Sequence, residues 1–247
     1  MGRRMLPRLL SRWNVAPRRA AEQLVFDGRV AVDGRVVRDV LREVDEDLAR
    51  ITVDGQPVGP RAEPPTWWLL HKPVGVVTTT RDPEGRRTVL DLVAAAGPVP
   101  AGLAPVGRLD RDSSGALLLT NEHALAAALL DPQTHVEKRY VVTVRGAPSP
   151  DVLARIATTA VEVDGLVLGP MVCADVAEAP GGRRLEVRLS EGKNRQIRRR
   201  LAAEGHPVAS LHRVDFGPVT LGELPAGAFR GLDAAEIAAL RTATYRP

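Results

Sequence analysis

Apolar and polar positions in the first 58 residues predict a small module of two helices and two hairpins. Five apolar side chains recur three or four apart over residues 3–13: Met5, Leu6, Leu9, Leu10 and Trp13. This spacing predicts an amphipathic helix with a basic opposite face, in which Pro7 is tolerated in the first turn. A second helix is expected over residues 17–26. Two Asp-Gly pairs, each between short apolar runs, predict hairpins with type I′ turns over residues 30–37 and 51–58.

A proline-rich segment over residues 59–65 separates this module from a region of longer strands with helices between them. Strands are predicted over residues 67–70, 116–120, 137–144 and 184–189. Helices are predicted over residues 88–93, 122–130, 149–157, 191–204 and 233–242, with Thr88, Asn121 and Ser149 as N-caps. Since helices and strands do not alternate regularly, we expect an α+β fold and not a doubly wound one. The predicted organisation is a domain over 1–58, a linker over 59–65 and a second domain over 66–247.

Arginine dominates the charge of the chain. Of its 247 residues, 34 are Lys or Arg, only three of these are lysines, and the net charge is +4. The sequence pI of about 9.8 makes nucleic acid a candidate partner. Cys173 is the only cysteine, which excludes an intrachain disulfide and fits a reducing compartment. No apolar run approaches the roughly 18 residues that a membrane span needs, so we expect a cytoplasmic protein without membrane contact.

Several common site types are absent from the sequence. The five histidines are not paired at metal-ligand spacing, and the chain has no phosphate-binding glycine loop and no serine nucleophile elbow. What remains is Asp110 in a polar, glycine-bounded segment over 107–115, Tyr140 beside a basic pair, and a basic stretch over 183–200. Eight basic and two acidic residues fall in that stretch. A positive cleft that holds an aspartate suits a reaction on a polyanion, although the segment around Asp110 also fits a charged surface turn.

Residues 18–24 and 27–36 carry a pattern that resembles the S4 RNA-binding domain, and the resemblance covers about residues 3–58. It implies that basic side chains of the helix pair and the adjoining strand contact the RNA backbone: Arg4, Arg8, Arg18, Arg19 and Arg29. Such contacts neutralise phosphates, so binding should weaken with salt. The alternative for these arginines is a solvated helix face.

Four further motifs occur in order along the chain: KPVG at 72–75, GRLD at 107–110, KRY at 138–140 and EGKNRQIRR at 191–199. Together with the tail over 205–232, they resemble the pseudouridine synthases that act on ribosomal RNA and carry an N-terminal S4 domain. This resemblance implies a mixed, mainly antiparallel sheet with flanking helices. It also implies a monomer that isomerises a uridine of ribosomal RNA to pseudouridine without a cofactor or a metal.

The resemblance implies roles for individual residues. Asp110 matches the catalytic aspartate, Arg198 the basic residue paired with it, and Tyr140 the tyrosine that stacks on the target base and can remove the C5 proton. The remaining residues are expected to contact the substrate: Arg108, Lys72, Lys193, Arg195, Ile197 and Leu211. Arg108 would hold the uridine out of the RNA helix. For Ile197 and Leu211 packing alone is the alternative, and for the lysines phosphate contact or a salt link.

Three questions stay open at the level of sequence. The chain could be a non-catalytic RNA-binding or ribosome-assembly protein, although such a relative would be expected to have lost Asp110. A glycosidic hydrolase would need a second carboxylate, for which Asp112 is the nearest candidate. Residues 82–91 resemble the branch that acts on large-subunit (23S) ribosomal RNA more than the small-subunit branch, and this favours the large subunit as the target.

Overall fold

The computed structural model describes residues 3–13, 15–46, 48–59 and 65–245. Most of the predicted linker, residues 60–64, lies outside the described residues. In the parts of the chain that are described, no helix is long and apolar enough to cross a membrane.

The N-terminal region folds around two short helices and small antiparallel sheets. Its elements are β1 (Arg3–Met5), α1 (Leu6–Arg12), α2 (Arg18–Phe26), β2 (Val30–Val32), β3 (Arg35–Val37), β4 (Glu43–Asp45), β5 (Ile51–Val53) and β6 (Gln56–Val58). Strands β3, β2, β5 and β6 form one sheet in that order, and β1 pairs with β4. Fully buried Leu6, Leu9 and Leu10 pack with Val25 and Val30 in its core.

The structure confirms both predicted hairpins and corrects the start of the first helix. Asp33 and Asp54 take φ angles of 50° and 51°, each followed by a glycine with positive φ, as type I′ turns require. The first helix begins only at Leu6, with Pro7 in its first turn. The three residues before it form β1, whose pairing with a strand some forty residues later cannot be read from local apolar spacing.

The larger region contains eleven strands and five α-helices among its described residues. They are β7 (Trp67–Lys72), α3 (Val89–Ala94), β8 (Ala104–Pro105), β9 (Ser114–Thr120), α4 (His123–Leu130), β10 (Lys138–Arg145), α5 (Pro150–Thr158), β11 (Val161–Val163), β12 (Leu166–Leu168), β13 (Val172–Ala179), β14 (Gly182–Leu189), α6 (Gln196–Ala203), β15 (Val208–Phe216), β16 (Val219–Thr220), β17 (Phe229–Gly231) and α7 (Ala234–Ala243). A 3₁₀ turn, Pro132–Thr134, lies between α4 and β10.

Nine of these strands form one sheet. Its main order is β13-β14-β10-β15-β9-β7-β17, with β16 paired to β15 and β8 paired to β9. Only the β15–β9 pairing is parallel; the other pairings of this sheet are antiparallel. The predicted α+β class with a mixed, mainly antiparallel sheet is therefore confirmed.

The polar segment that contains Asp110 leads directly into strand β9, which lies between β15 and β7 in the interior of this sheet. Leu117 and Leu119 pack into the core on one face, and Ala116 and Leu118 pack into the core on the other. All four are fully buried. A strand covered on both faces reads as a continuous apolar run, which explains why the sequence turns abruptly from charged to aliphatic here.

Two local predictions are wrong. Helix α4 begins at His123 after Glu122, so Asn121 is not its N-cap; the Asn121 Oδ1 instead accepts a hydrogen bond of 2.8 Å from the Thr66 N–H. Helix α6 begins at Gln196 and not at residue 191. Arg195, immediately before it, takes a left-handed φ of 49°, which stops the helix from extending further towards the N-terminus. By contrast, Thr88 and Ser149 cap α3 and α5 as predicted.

Candidate active site

A cavity of about 180 Å³ lies between the segment that leads into β9, strands β10 and β15, and the start of α6. It is lined by Arg108, Leu109, Asp110, Ser113, Tyr140, Leu189, Gly192, Lys193, Asn194, Arg195, Gln196, Ile197, Arg198 and Leu211. The fold thus brings the three predicted catalytic residues, and five of the six predicted substrate contacts, to one cavity. The sixth, Lys72, lies elsewhere.

The backbone on either side of Asp110 is fixed by neighbouring loops. The Thr78 hydroxyl donates a hydrogen bond of 2.7 Å to the Leu109 carbonyl and accepts one of 3.3 Å from the Leu109 N–H. The Ser113 N–H donates to the Asp110 carbonyl at 3.0 Å, which closes a turn around the carboxylate. Leu109 itself is buried, so the chain enters this turn from the core. Thr78 was not predicted as a site residue, since one threonine in a loop carries no sequence signal.

Lys72 contacts the same segment from the protein interior. Its side chain is completely buried at the end of β7, and its ammonium donates to the carbonyls of Ser113 (2.7 Å) and Pro73 (3.0 Å). Burial lowers the pKa of Lys72 to about 8, although the charges of Asp110 and Asp112 oppose this shift. Lys72 does not line the active-site cavity in this structure: its buried ammonium is bonded to two backbone carbonyls and positions the loop.

Arg111 also links this segment to a neighbouring loop. Its Nε donates a hydrogen bond of 3.3 Å to the Gly75 carbonyl, and its own carbonyl accepts one of 2.8 Å from the Gly75 N–H. The KPVG turn and the GRLD segment are thereby joined by both backbone and side chain.

Arg195 connects the two aspartates of the segment. Its guanidinium donates to both carboxylate oxygens of Asp112, at 3.2 and 2.9 Å, and its Nη1 lies 3.3 Å from Asp110 Oδ2. Hydrogen bonding from Arg195 holds the pKa of Asp112 below its usual range, with the charge of Arg198 acting in the same direction. Because a general acid must carry a proton, this environment disfavours Asp112 as the second carboxylate of a hydrolase.

Arg198 approaches Asp110 from α6 but does not form a hydrogen bond with it. Its Nη2 donates to the Asp112 carbonyl (2.9 Å) and to the Ser113 hydroxyl (3.2 Å), while its Nε lies 4.0 Å from Asp110 Oδ2. That Nε is buried and has no hydrogen-bond partner among the described residues. The predicted pairing is thus present as a charge contact, and Arg195 lies closer to Asp110 than Arg198 does.

Part of the cavity wall is aromatic and aliphatic. Tyr140 is 9% exposed and lines the cavity from β10, beside a register shift in the β10–β15 pairing between Arg139 and Tyr140. Leu189, Ile197 and Leu211 are each less than 9% exposed and complete the wall. A cavity that combines this apolar wall with a carboxylate and two guanidiniums suits a planar base attached to a charged backbone.

The predicted RNA-contacting arginines of the N-terminal region fall into two groups. Arg4, Arg18 and Arg29 form exposed ion pairs with Glu46, Glu22 and Asp54, respectively. Arg8 and Arg19 are exposed and form no ion pair with any residue that the structure describes.

Two further observations concern metal binding and the position of Lys193. Within them, no group of three or more His, Cys, Asp or Glu side chains is arranged to bind a metal ion. Lys193 lines the cavity, but its ammonium is directed towards the Val167 carbonyl (2.7 Å) and Glu191 (3.2 Å).

Comparison with known proteins gives consistent results for both regions. Residues 66–203 match the family model for RNA pseudouridylate synthase, and residues 6–48 match the S4 domain. An uncharacterized RNA pseudouridine synthase of Mycobacterium tuberculosis is 40% identical over 95% of this chain and 92% of its own. The ribosomal large subunit pseudouridine synthase B of Bacillus subtilis is 33% identical over 96% of this chain and 95% of its own.

A solved structure shares the fold. A crystal structure of a pseudouridylate synthase superposes with a TM-score of 0.68 over 97% of this chain and 100% of its own, at 24% identity. Because the family model spans more than half of the chain and relatives above 30% identity match nearly all of it, the chain belongs to the RNA pseudouridylate synthase family and carries an S4 domain.

Proposed function

We propose that this protein isomerises a uridine of large-subunit ribosomal RNA to pseudouridine, with Asp110 as the nucleophile. The observation that carries the proposal is the placement of the Asp110 carboxylate beside Arg195 and Arg198, in a cavity that Tyr140 also lines. Relatives named ribosomal large subunit pseudouridine synthase B, in Bacillus subtilis and Pseudomonas aeruginosa, support the choice of RNA. This substrate implies a cytoplasmic location.

The reaction exchanges one bond of the nucleotide for another. The C1′–N1 bond breaks, the uracil turns, a C1′–C5 bond forms, C5 loses its proton and N1 gains one. A carboxylate can assist by adding to C1′ or to the uracil ring, and it is regenerated at the end. The two guanidiniums next to Asp110 can balance its negative charge before and after this step.

Tyr140 and Arg108 serve the substrate on either side of the carboxylate. Tyr140 lines the cavity, so its ring can stack on the base and its phenol oxygen can take the C5 proton. Arg108 is exposed at the cavity mouth and forms no ion pair with the residues that the structure describes. Its guanidinium is free to occupy the position of an extruded uridine or to contact a phosphate.

The test is Asp110→Asn, assayed by tritium release from ribosomal RNA transcribed with [5-³H]uridine. Because Asn cannot act as a nucleophile, release should fall by at least about a thousandfold, while RNA affinity changes less than threefold. Asp151→Asn, a similar change at an exposed aspartate in the first turn of α5, is the matched control and should keep full activity.

The same assay separates the rival functions and the rival targets. Equal release by Asp110→Asn and the parent would overturn the role of Asp110, and no release by the parent from any ribosomal RNA would favour a non-catalytic RNA-binding protein. Release from small-subunit RNA but not from large-subunit RNA would keep the activity and correct the target.

A further inference from the structure

We propose that a second cavity, next to the active site, binds a phosphate of the RNA strand beside the target uridine. This inference rests on the proposed function, because it assigns a contact of the same substrate. The cavity has a volume of about 260 Å³ and is lined by residues that include Lys138, Arg213 and Phe216. It shares Arg108, Tyr140, Gly192 and Lys193 with the active-site cavity, so the two cavities are adjacent.

Arg213 gives the clearest indication that this cavity binds an anion. It is only 3% exposed, and its Nε donates to the Ala116 carbonyl at 2.6 Å, which fixes the guanidinium in place. Its Nη2 is buried and has no hydrogen-bond partner among the residues described. A buried donor without a partner is rare in folded proteins, because its desolvation is not compensated.

Lys138 supplies a second buried cation to the same cavity. It is 8% exposed, and its ammonium donates one hydrogen bond of 3.0 Å, to the Ser190 carbonyl. The Lys138 ammonium and the Arg213 guanidinium lie 5.4 and 5.2 Å from the centre of the Phe216 ring, so they occupy the same small region. Burial lowers the pKa of Lys138 to about 8, and the charge of Arg213 acts in the same direction.

The carboxylate in the lining of this cavity already has other partners. Glu191 lines the cavity, but it pairs with Lys193 at 3.2 Å and accepts hydrogen bonds from the Gly169 N–H and the Gln196 amide. Neither Lys138 nor Arg213 forms an ion pair within the described part of the chain. Two buried cations without a counter-charge are compensated best by a bound anion that accepts from both.

The position of the cavity indicates which anion binds there. Lys138 and Tyr140 are two residues apart on β10, so their side chains lie on the same face of the sheet about 7 Å apart. A nucleotide whose base stacks on Tyr140 can therefore extend its own phosphodiester towards Lys138 and Arg213. A free phosphate ion has the same chemistry, and the experiment must separate the two sources.

The test compares Lys138→Met and Arg213→Lys with the parent on a short RNA that contains the mapped target uridine. The RNA is prepared with normal linkages and with a neutral methylphosphonate at the phosphate on either side of the uridine. On normal RNA each variant should lose about tenfold to a hundredfold in kcat/KM, as expected for a charge-assisted hydrogen bond. On RNA that is neutral at the bound phosphate, parent and variant should be equally slow.

The outcomes are distinguishable. Equal losses for the variants on normal and neutral RNA, or no loss on either, would overturn the proposal in favour of a purely structural pair. Inhibition of the parent by inorganic phosphate, together with no effect of the neutral linkage, would assign the cavity to a free anion and equally overturn it. An inactive parent would instead count against the proposed function.

Two controls accompany the test. Arg241→Met removes an exposed arginine of α7 that pairs with Glu122, and it should match the parent on every RNA. Thermal unfolding shows whether each variant folds. If Arg213→Lys does not fold because the hydrogen bond to the Ala116 carbonyl is lost, the kinetics of Lys138→Met alone test the proposal.

Discussion

Asp110 and Asp112 lie two residues apart in one segment, yet their surroundings differ. Asp112 is held by a bidentate contact with Arg195 and by Arg198 at 3.4 Å. Asp110 has one charge contact at 3.3 Å and one at 4.0 Å, and it alone of the two lines the cavity. When two carboxylates share a site, such differences in environment assign different roles to them. We infer that Asp112 positions the arginines and that Asp110 is left to react.

Replacing Asp112 by Asn tests this division of roles. The change removes the charge that anchors Arg195, so the guanidiniums should shift and kcat/KM should fall about tenfold to a hundredfold, with a pseudouridine activity that remains measurable. Loss of activity as complete as in Asp110→Asn would contradict a purely positioning role for Asp112. Asp151→Asn again serves as the control.

The pH dependence of stability gives a second readout for Asp112. Because its folded pKa is lowered, mainly by the hydrogen bonds from Arg195, its contribution is present above the unfolded value of about 3.9 and is lost as the pH falls through the folded value. The Asp112→Asn variant should therefore melt below the parent at pH 7, and the gap should narrow below about pH 4. A gap that is constant with pH would mean that the carboxylate charge contributes nothing.

At the scale of residues, sequence motifs point to the groups that we propose to react but not to the residues that support them. Asp110, Tyr140 and Arg198 each stand in a short motif, so resemblance could locate them. Three supporting features depend on packing between distant segments: the burial of Lys72, the contacts of Arg195 with both aspartates, and the two hydrogen bonds of Thr78. A local sequence pattern does not predict such contacts.

At the scale of elements, the site depends on how closely β9 approaches β15. Gly115 takes a φ of 111°, and a Cβ placed there would lie 2.1 Å from the Arg213 carbonyl oxygen and 2.6 Å from its nitrogen. The parallel pairing of these strands includes Gly115 opposite Arg213. Glycine is therefore required both by its backbone angle and by the neighbouring backbone. This contact joins the segment of Asp110 to the strand that carries Arg213.

The variant Gly115→Ala should separate β9 from β15. We expect a loss of about 3 kcal/mol or more in the free energy of unfolding, measured with denaturant, together with a large loss of activity. Gly181→Ala is matched, because Gly181 has a φ of 74° but no atom within 4 Å of its added Cβ. That control should lose only about 1 kcal/mol. Similar losses for both variants would show that the backbone angle, and not the close approach, determines the cost.

The sequence does not predict strand β15, although this strand borders both cavities. It contains Ser210, His212, Arg213 and Asp215, and these polar residues interrupt the alternation that would reveal a strand. Leu211 of this strand lines the active-site cavity, and Arg213 lines the adjacent one. The capped helices and the Asp-Gly hairpins, by contrast, are specified by neighbouring residues and were predicted correctly.

At the scale of the whole molecule, composition and order of elements predicted the fold class and the RNA partner but not the strand order. The central sheet places β15 between β10 and β9, although the chain separates these three strands widely. Such pairings are fixed by long-range burial of both faces of the sheet. The basic charge, in contrast, is a global property that composition reports directly.

The unequal pairing of arginines in the S4 region predicts unequal contributions to RNA binding. Arg8 and Arg19 are exposed and without an ion pair among the described residues, whereas Arg18 already pairs with Glu22 at 3.0 Å. We expect Arg8→Gln and Arg19→Gln each to weaken RNA binding and to lower the slope of log K against log[salt] by about 1. Arg18→Gln, in the same helix as Arg19, is the matched comparison and should change the slope less.

Binding titrations at several salt concentrations measure these slopes, and tritium release at saturating RNA measures kcat separately. We propose that the S4 arginines contact phosphates and not the reacting atoms, so kcat should stay at the parent value while KM rises. A fall in kcat would place these arginines in the chemical step. Slopes that are unchanged in all three variants would mean that this helix face is merely solvated and that the RNA is held by the larger domain alone.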